Sequence, residues 1–226
     1  MKRLFKRNTI YLIVRIIIGI TFALNIVGFF LVKDDSQQSR LIFNAFQSLG
    51  LLLASTVPGF VERKTKLNIP DFMEIIFLFL CIAHFALGEM AGFFVKYSWW
   101  DEMLHTFSGS MVAILGFSLV NTINQEKINM NVMPFFVAVF ATCFSVSIGV
   151  LWEIVEFALD GLTGSNMQRY LNSYTGEPFI GRDALFDTMK DFILDTIGAV
   201  VISITGYISM KKQKEPFSKW TMKKFN

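Results

Sequence analysis

Six stretches of this chain are apolar for about the 20 residues that an α-helix needs to cross a bilayer core of about 30 Å. They lie near 9–32, 41–60, 72–95, 103–123, 132–159 and 184–209, separated by short polar connections. The whole-chain hydrophobic fraction of 53% would not distinguish this chain from a soluble domain; its segregation into long runs does. The pattern predicts an all-α polytopic membrane bundle of about six transmembrane helices. Residues 1–210 form a single transmembrane helical domain, and 211–226 form a basic cytoplasmic tail. The basic start Lys2-Arg3-Leu4-Phe5-Lys6-Arg7 and the apolar run after it suggest a signal peptide. That run is too long for one and lacks a small-x-small cleavage site, so it reads as a retained first helix.

Lys and Arg give the orientation, because cytoplasmic loops are enriched in them. With six spans, one side receives 15: Lys2, Arg3, Lys6, Arg7, Arg15, Arg63, Lys64, Lys66, Lys127 and the six lysines of the tail. The other side receives 6: Lys33, Arg40, Lys96, Arg169, Arg182 and Lys190. Both termini are therefore expected in the cytoplasm, in a multi-pass protein of a bacterial cytoplasmic (inner) membrane. The positive charge is not arranged as a nucleic-acid surface, and membrane lipids are the expected surroundings. Cys81 and Cys143 both fall inside apolar runs and read as buried thiols rather than a disulfide.

On this topology a group of ten acids and both histidines falls in the extracytoplasmic half. They are His84 and Glu89 in the third span, Asp101, Glu102 and His105 in the fourth, Glu153, Glu156 and Asp160 in the fifth, and Asp183, Asp187, Asp191 and Asp195 in the sixth. Helical spacing groups them further. Glu153, Glu156 and Asp160 follow i, i+3, i+7, and Asp187, Asp191 and Asp195 follow i, i+4, i+8. Asp101 and Glu102 stand one turn before His105. Asp195 falls roughly 17 Å into the membrane at 1.5 Å per residue. Ser145 and Gly149 precede Glu153 on the same face, and Gly198 continues the aspartate stripe, so close helix approach is expected around the acids. His84 and Glu89 lie about 140° apart on a regular helix and would share a face only if the helix were distorted.

A carboxylate placed in hydrocarbon costs about 2.5–3.5 kcal/mol on insertion scales, so these groups must face inward, share protons or hold a cation. Oxygen ligands mixed with imidazole suit a divalent metal ion such as Zn, Mn, Fe, Mg or Ca. His105, Asp101, Glu102, Asp187, Asp195 and His84 are the candidate ligands. Glu153, Glu156 and Asp191 are the candidate catalytic groups. Asp160 and Asp183, at helix ends, read as solvated. The zinc-protease pattern HExxH and the serine-hydrolase pattern GxSxG are both absent from the sequence.

The order His84…Gly88-Glu89, Trp100-Asp101-x-x-x-His105-x-x-x-Gly109, Glu153-x-x-Glu156 and Asp187-x-x-x-Asp191-x-x-x-Asp195-x-x-Gly198-Ala199 resembles the YjdF-like family of bacterial inner-membrane proteins. The resemblance covers roughly residues 80–200 and implies this topology and this choice of residues. A looser similarity connects the chain to the VanZ-like family, from which it departs at Glu102, where a Lys would be usual. Three readings stay open. One is a metal-dependent enzyme acting on a lipid or cell-envelope substrate. Another is a cation- or proton-coupled transporter, for which six helices are few and a homo-oligomer could supply more. The last is a non-catalytic membrane scaffold.

Overall fold

The computed structural model describes residues 2–127, 132–212 and 222–224; most of the basic tail lies outside the described residues. Six helices are long and apolar enough to cross a membrane: Thr9–Leu31, Asp35–Thr65, Asp71–Met90, Trp99–Ile123, Pro134–Thr163 and Gly181–Lys211. They coincide with the expected six runs, and the ends differ by a few residues. The chain forms two compact units, one up to Tyr97 and one over Ser98–Lys223.

In the first unit α1 (Lys2–Leu31) packs against α2 (Asp35–Ala54), and α2 against the third span. The second span starts earlier than expected because Asp34 caps it. The Asp34 carboxylate accepts the Gln37 N–H at 2.9 Å and the Ser36 hydroxyl at 2.8 Å, and both bonds hold its pKa below the usual carboxylate range. The span continues past Ala54 into α3 (Val57–Thr65), with Pro58 in its first turn, where no intrahelical donor is lost. The third span, α4 (Asp71–Cys81), passes into a π-helix over Ile82–Met90. Residues five apart stack in a π-helix, so the distortion needed to bring His84 and Glu89 toward one face is present. Gly88 lies in that segment, and the Phe94 ring of α5 (Phe93–Lys96) rests where a side chain would be.

In the second unit α6 (Trp99–Lys127), α7 (Pro134–Thr163) and α8 (Phe186–Lys211, entered by a 3-10 turn at Gly181–Leu185) pack against one another. Its polarity is that of a membrane bundle. Phe157, Ile154 and Val201 are exposed on the outside, while Glu153, Glu156, Asp191 and Asp195 are buried between the helices. Away from these acids the core is apolar and tight. Phe117, Val137, Ala138 and Ala141 form it, and Gly116 approaches the Ala141 backbone so closely that an added Cβ would stand 3.0 Å from its Cα. Cys143 lies on the exposed surface of α7, contrary to the expected buried thiol, because it faces away from both neighbouring helices; Cys81 is buried.

The connection between α7 and α8 is ordered, as its glycines suggest. Gly164 ends α7 in the left-handed region at φ 68°, and Leu171 bridges to Pro178 across a tight return. Its root is Asp160, which is buried rather than solvated. Asp160 Oδ1 accepts the Ser165 hydroxyl at 2.6 Å and the Met167 N–H at 2.8 Å, and Oδ2 accepts the Gln168 N–H at 2.9 Å. Asp183 is exposed, as expected of a helix end. Asn166 then exchanges two 2.8 Å hydrogen bonds with the Leu171 backbone, which closes a turn with Arg169 in the left-handed region at φ 50°. Replacing Asp160 by Ala leaves two backbone N–H groups without their acceptor, at about 1–3 kcal/mol each. Hydrogen exchange of the Met167 and Gln168 amides should accelerate, with proteolytic nicking inside 164–180. Unchanged protection there would contradict this anchoring role.

Candidate functional site

The polar cluster sits at the end of the second unit where α6 and α8 begin and α7 finishes. His105, in the second turn of α6, is at its centre and is buried. Its Nδ1 lies 3.4 Å from Asp195 Oδ2. In the neutral tautomer with Nδ1–H donating there, Nε2 keeps its lone pair on the other side of the ring, where Asp101 Oδ1 stands at 3.8 Å and Asp191 Oδ2 at 3.9 Å. These distances are too long for hydrogen bonds. They match the spacing of two ligands on one ion with bonds of about 2.0–2.4 Å.

Two sets of three ligand atoms converge to within 4.8 Å of one another among the described residues: His105, Glu153 and Asp191, and Asp101, Asp187 and Asp191. Asp191 belongs to both. It is 1% exposed, and its Oδ1 has no hydrogen bond within the protein; the same holds for Glu153 Oε1, on a residue 3% exposed. A buried carboxylate oxygen normally has a hydrogen-bond partner. Glu153 Oε2 does have one, because Gln168 Nε2 reaches in from the loop and lies 3.2 Å from it and 3.1 Å from Thr188 Oγ1.

Cations line the rim. Arg169 Nε lies 3.4 Å from Asp101 Oδ2 and 3.9 Å from Asp187 Oδ2. Lys190 Nζ lies 3.6 Å from both Glu102 Oε1 and Asp187 Oδ1. Five of the expected residues therefore meet: Asp101, His105, Glu153, Asp187 and Asp191. Others take different positions. Glu102 turns to Lys190, and its side chain is 45% exposed, so the i+3 spacing to His105 does not carry it inward. Glu156 is held by its own helix, accepting the Trp152 indole N–H at 2.8 Å. Asp195 lies behind His105, opposite the ring face that the other acids approach. His84 stands in the first unit between the Phe85 and Phe94 rings, at centroid distances of 4.9 and 5.2 Å, and neither converging set includes it.

Sequence reasoning missed Gln168 and Arg169 as members of the cluster. The available signal was that Arg169 is the one basic residue between Asp160 and Arg182, in a loop tied at both ends to acid-bearing helices.

Small residues make the geometry. An added Cβ on Gly109 would stand 2.5 Å from the Asp195 carbonyl oxygen, so α6 and α8 touch backbone to backbone there. Gly149 of α7 leaves the space that the Asp195 carboxylate fills, and Gly198 leaves the space beside the Thr106 carbonyl. Ser145 donates to the Gly109 carbonyl at 2.7 Å and ties α7 to the same contact. Ser108 Oγ stands 3.3 Å from Asp195 Oδ1. Gly109→Ala should lower stability by about 1–3 kcal/mol, as overpacking does, and so lower the thermal midpoint in detergent. Gly19→Ala, with open space around it, should not. Equal midpoints for the two variants would refute the close contact.

Comparison with known proteins agrees with this architecture. A curated protein of Thermotoga maritima, titled an uncharacterized protein, is 25% identical over 150 residues, which cover 65% of this chain and 67% of that one. No solved structure matches. The family described as "Predicted membrane protein (DUF2238)" matches residues 12–212, nearly the whole of the six-helix region. The chain belongs to the DUF2238 family of membrane proteins.

Proposed function

We propose that the end of the second unit is a divalent-cation centre, built on His105, Glu153 and Asp191, that serves a membrane enzyme acting on a lipid or cell-envelope substrate. One observation carries the reading: ligand atoms of His105, Glu153 and Asp191 lie within 4.8 Å of one another, and both carboxylates, at least nine-tenths buried, keep one oxygen without a hydrogen bond. A bound cation satisfies all three groups at once and offsets the cost of burying them. Asp195 fits a supporting role, since a carboxylate on the second ring nitrogen fixes the tautomer of a metal-binding histidine and raises its basicity. Such an ion supplies a Lewis acid or an activated water. Glu156 is the nearby carboxylate left for proton transfer. The distribution of Lys and Arg supports placing this end of the bundle outside the cytoplasm. The motif order also supports grouping the chain with the YjdF-like inner-membrane proteins.

Full-length protein purified without chelators, or reloaded with Zn, Mn, Fe, Mg or Ca, should carry a bound ion by elemental analysis. His105→Ala should lose it. Asp195→Asn should keep the stoichiometry but weaken affinity about 10–100-fold, the usual effect of losing such a support. Absence of any ion under all loading conditions would remove the centre. Incubation of the loaded protein with bacterial envelope lipids should consume a lipid species in a chelator-sensitive, Glu153-dependent way. An unchanged lipid profile would remove the enzymatic part and leave the ion site standing. For orientation, Tyr174→Cys in a cysteine-free background should react with an impermeant thiol reagent in intact cells. Tyr174 is 85% exposed in the α7–α8 loop, so protection until lysis would reverse the topology.

A further inference from the structure

We infer a second divalent-cation position in the same cluster, formed by Asp101, Asp187 and Asp191, with Asp191 bridging the two ions and Arg169 occupying the second position until an ion arrives. The inference rests on the first centre and extends it. Both sets of converging ligands contain Asp191. Its Oδ2 faces His105 Nε2 at 3.9 Å, while the buried Oδ1 has no hydrogen bond. Asp187 Oδ2, also buried, likewise has no hydrogen bond and is met by Arg169 Nε at 3.9 Å. A carboxylate shared by two neighbouring ligand sets suits a two-metal centre, in which the ions lie about 3.5–4 Å apart.

Arg169 marks the place. Its Nε is 3.4 Å from Asp101 Oδ2 and 3.9 Å from Asp187 Oδ2, so the chain itself puts a positive charge beside two of the three ligands. The charge comes from a loop rather than a helix, on a residue held at φ 50°, a region that a non-glycine residue adopts only when its surroundings impose it. The Arg169 side chain is 21% exposed, whereas that of Asp191 is 1% exposed. Displacement of the guanidinium by an ion would move a loop side chain and not a helix. Lys190, on the other side of Asp187, remains to balance Glu102. At the first position it is Gln168, a neutral donor, that reaches in from the loop to Glu153. The two positions thus differ in kind. The inner one takes an ion directly, and the outer one takes it in competition with Arg169.

Manganese titration of the full-length, metal-stripped protein in detergent tests this, read by elemental stoichiometry and by electron paramagnetic resonance. Wild type should bind one Mn2+ tightly and a second more weakly, with a spin-coupled signal at saturation. Arg169→Gln should tighten the second step about tenfold and leave the first unchanged. Asp187→Asn should abolish the second step and the coupled signal while keeping the first; Asp101→Asn serves as the independent variant if Asp187→Asn does not fold. Saturation of wild type and Arg169→Gln at one ion would overturn the second site and leave the first centre intact. No binding at all would overturn both. A second step insensitive to Asp187→Asn and Asp101→Asn would place the extra ion elsewhere and also overturn the assignment.

Discussion

Burying a carboxylate away from water is costly unless something nearby replaces its hydration, and the second unit buries Glu153, Glu156, Asp191 and Asp195 among three helices. Each is compensated differently. Asp195 uses Ser108 and the His105 ring. Glu156 uses the Trp152 indole. Glu153 is half satisfied by Gln168, and among the described residues Asp191 faces the distant imidazole without a hydrogen bond to Oδ1. The residual polarity thus concentrates at one point between α6, α7 and α8. The rest of the unit is arranged to tolerate that point: an apolar exterior against lipid, and a tight small-residue contact beneath the acids.

That contact makes the cluster possible. Three helices can bring four acids together only if the helices themselves approach closely, and Gly109, Gly149 and Gly198 remove the side chains that would keep them apart. Bilayers provide little hydrophobic force to press helices together, so packing and interhelical hydrogen bonds must do it. The Ser145 hydroxyl on the Gly109 carbonyl and the Thr142 hydroxyl 2.8 Å from Ser203 Oγ are bonds of this type. The glycines and the acids are one design: filling the glycine spaces would separate the carboxylates, and removing the carboxylates would leave the close contact without its polar purpose.

Helix count, span positions and the inward face of the acids were legible because each follows from a period. Apolar length marks a span, and i, i+4 spacing marks a face; Asp187, Asp191 and His105 met accordingly. Failures came where the relevant contact was not periodic. Asp160 looked like a solvated helix end because its partners, Ser165, Met167 and Gln168, lie in a loop whose path is set by Gly164 and Asn166 rather than by a repeat. Arg169 was lost for the same reason. Glu102 shows the limit of helical spacing: the pattern allows it to meet His105, yet a lysine on another helix attracts it to the surface. Spacing on one helix says which residues share a face and nothing about what waits across the gap.

The aspartate stripe on α8 bears on whether this cluster is a pocket or part of a path. A relay through the membrane needs polar or hydrated positions that continue beyond the deepest acid. Below Asp195 the next residue on the stripe is Gly198, and it is pressed against the Thr106 carbonyl with no space for a side chain. Ala199 beside it is fully buried. The hydroxyls nearby are already committed: Ser110 donates to the Thr106 carbonyl and Ser145 to the Gly109 carbonyl. Asp195 is itself enclosed by Gly109, Gly149 and His105, so the line of acids ends on a backbone contact. Two turns deeper on α8 the Ser203 hydroxyl is engaged with Thr142 at 2.8 Å, so among the described residues of α8 the acids end at Asp195 and hydroxyls follow. A line of carboxylates that ends on a backbone contact suits holding an ion for a ligand that arrives from one side better than passing an ion through.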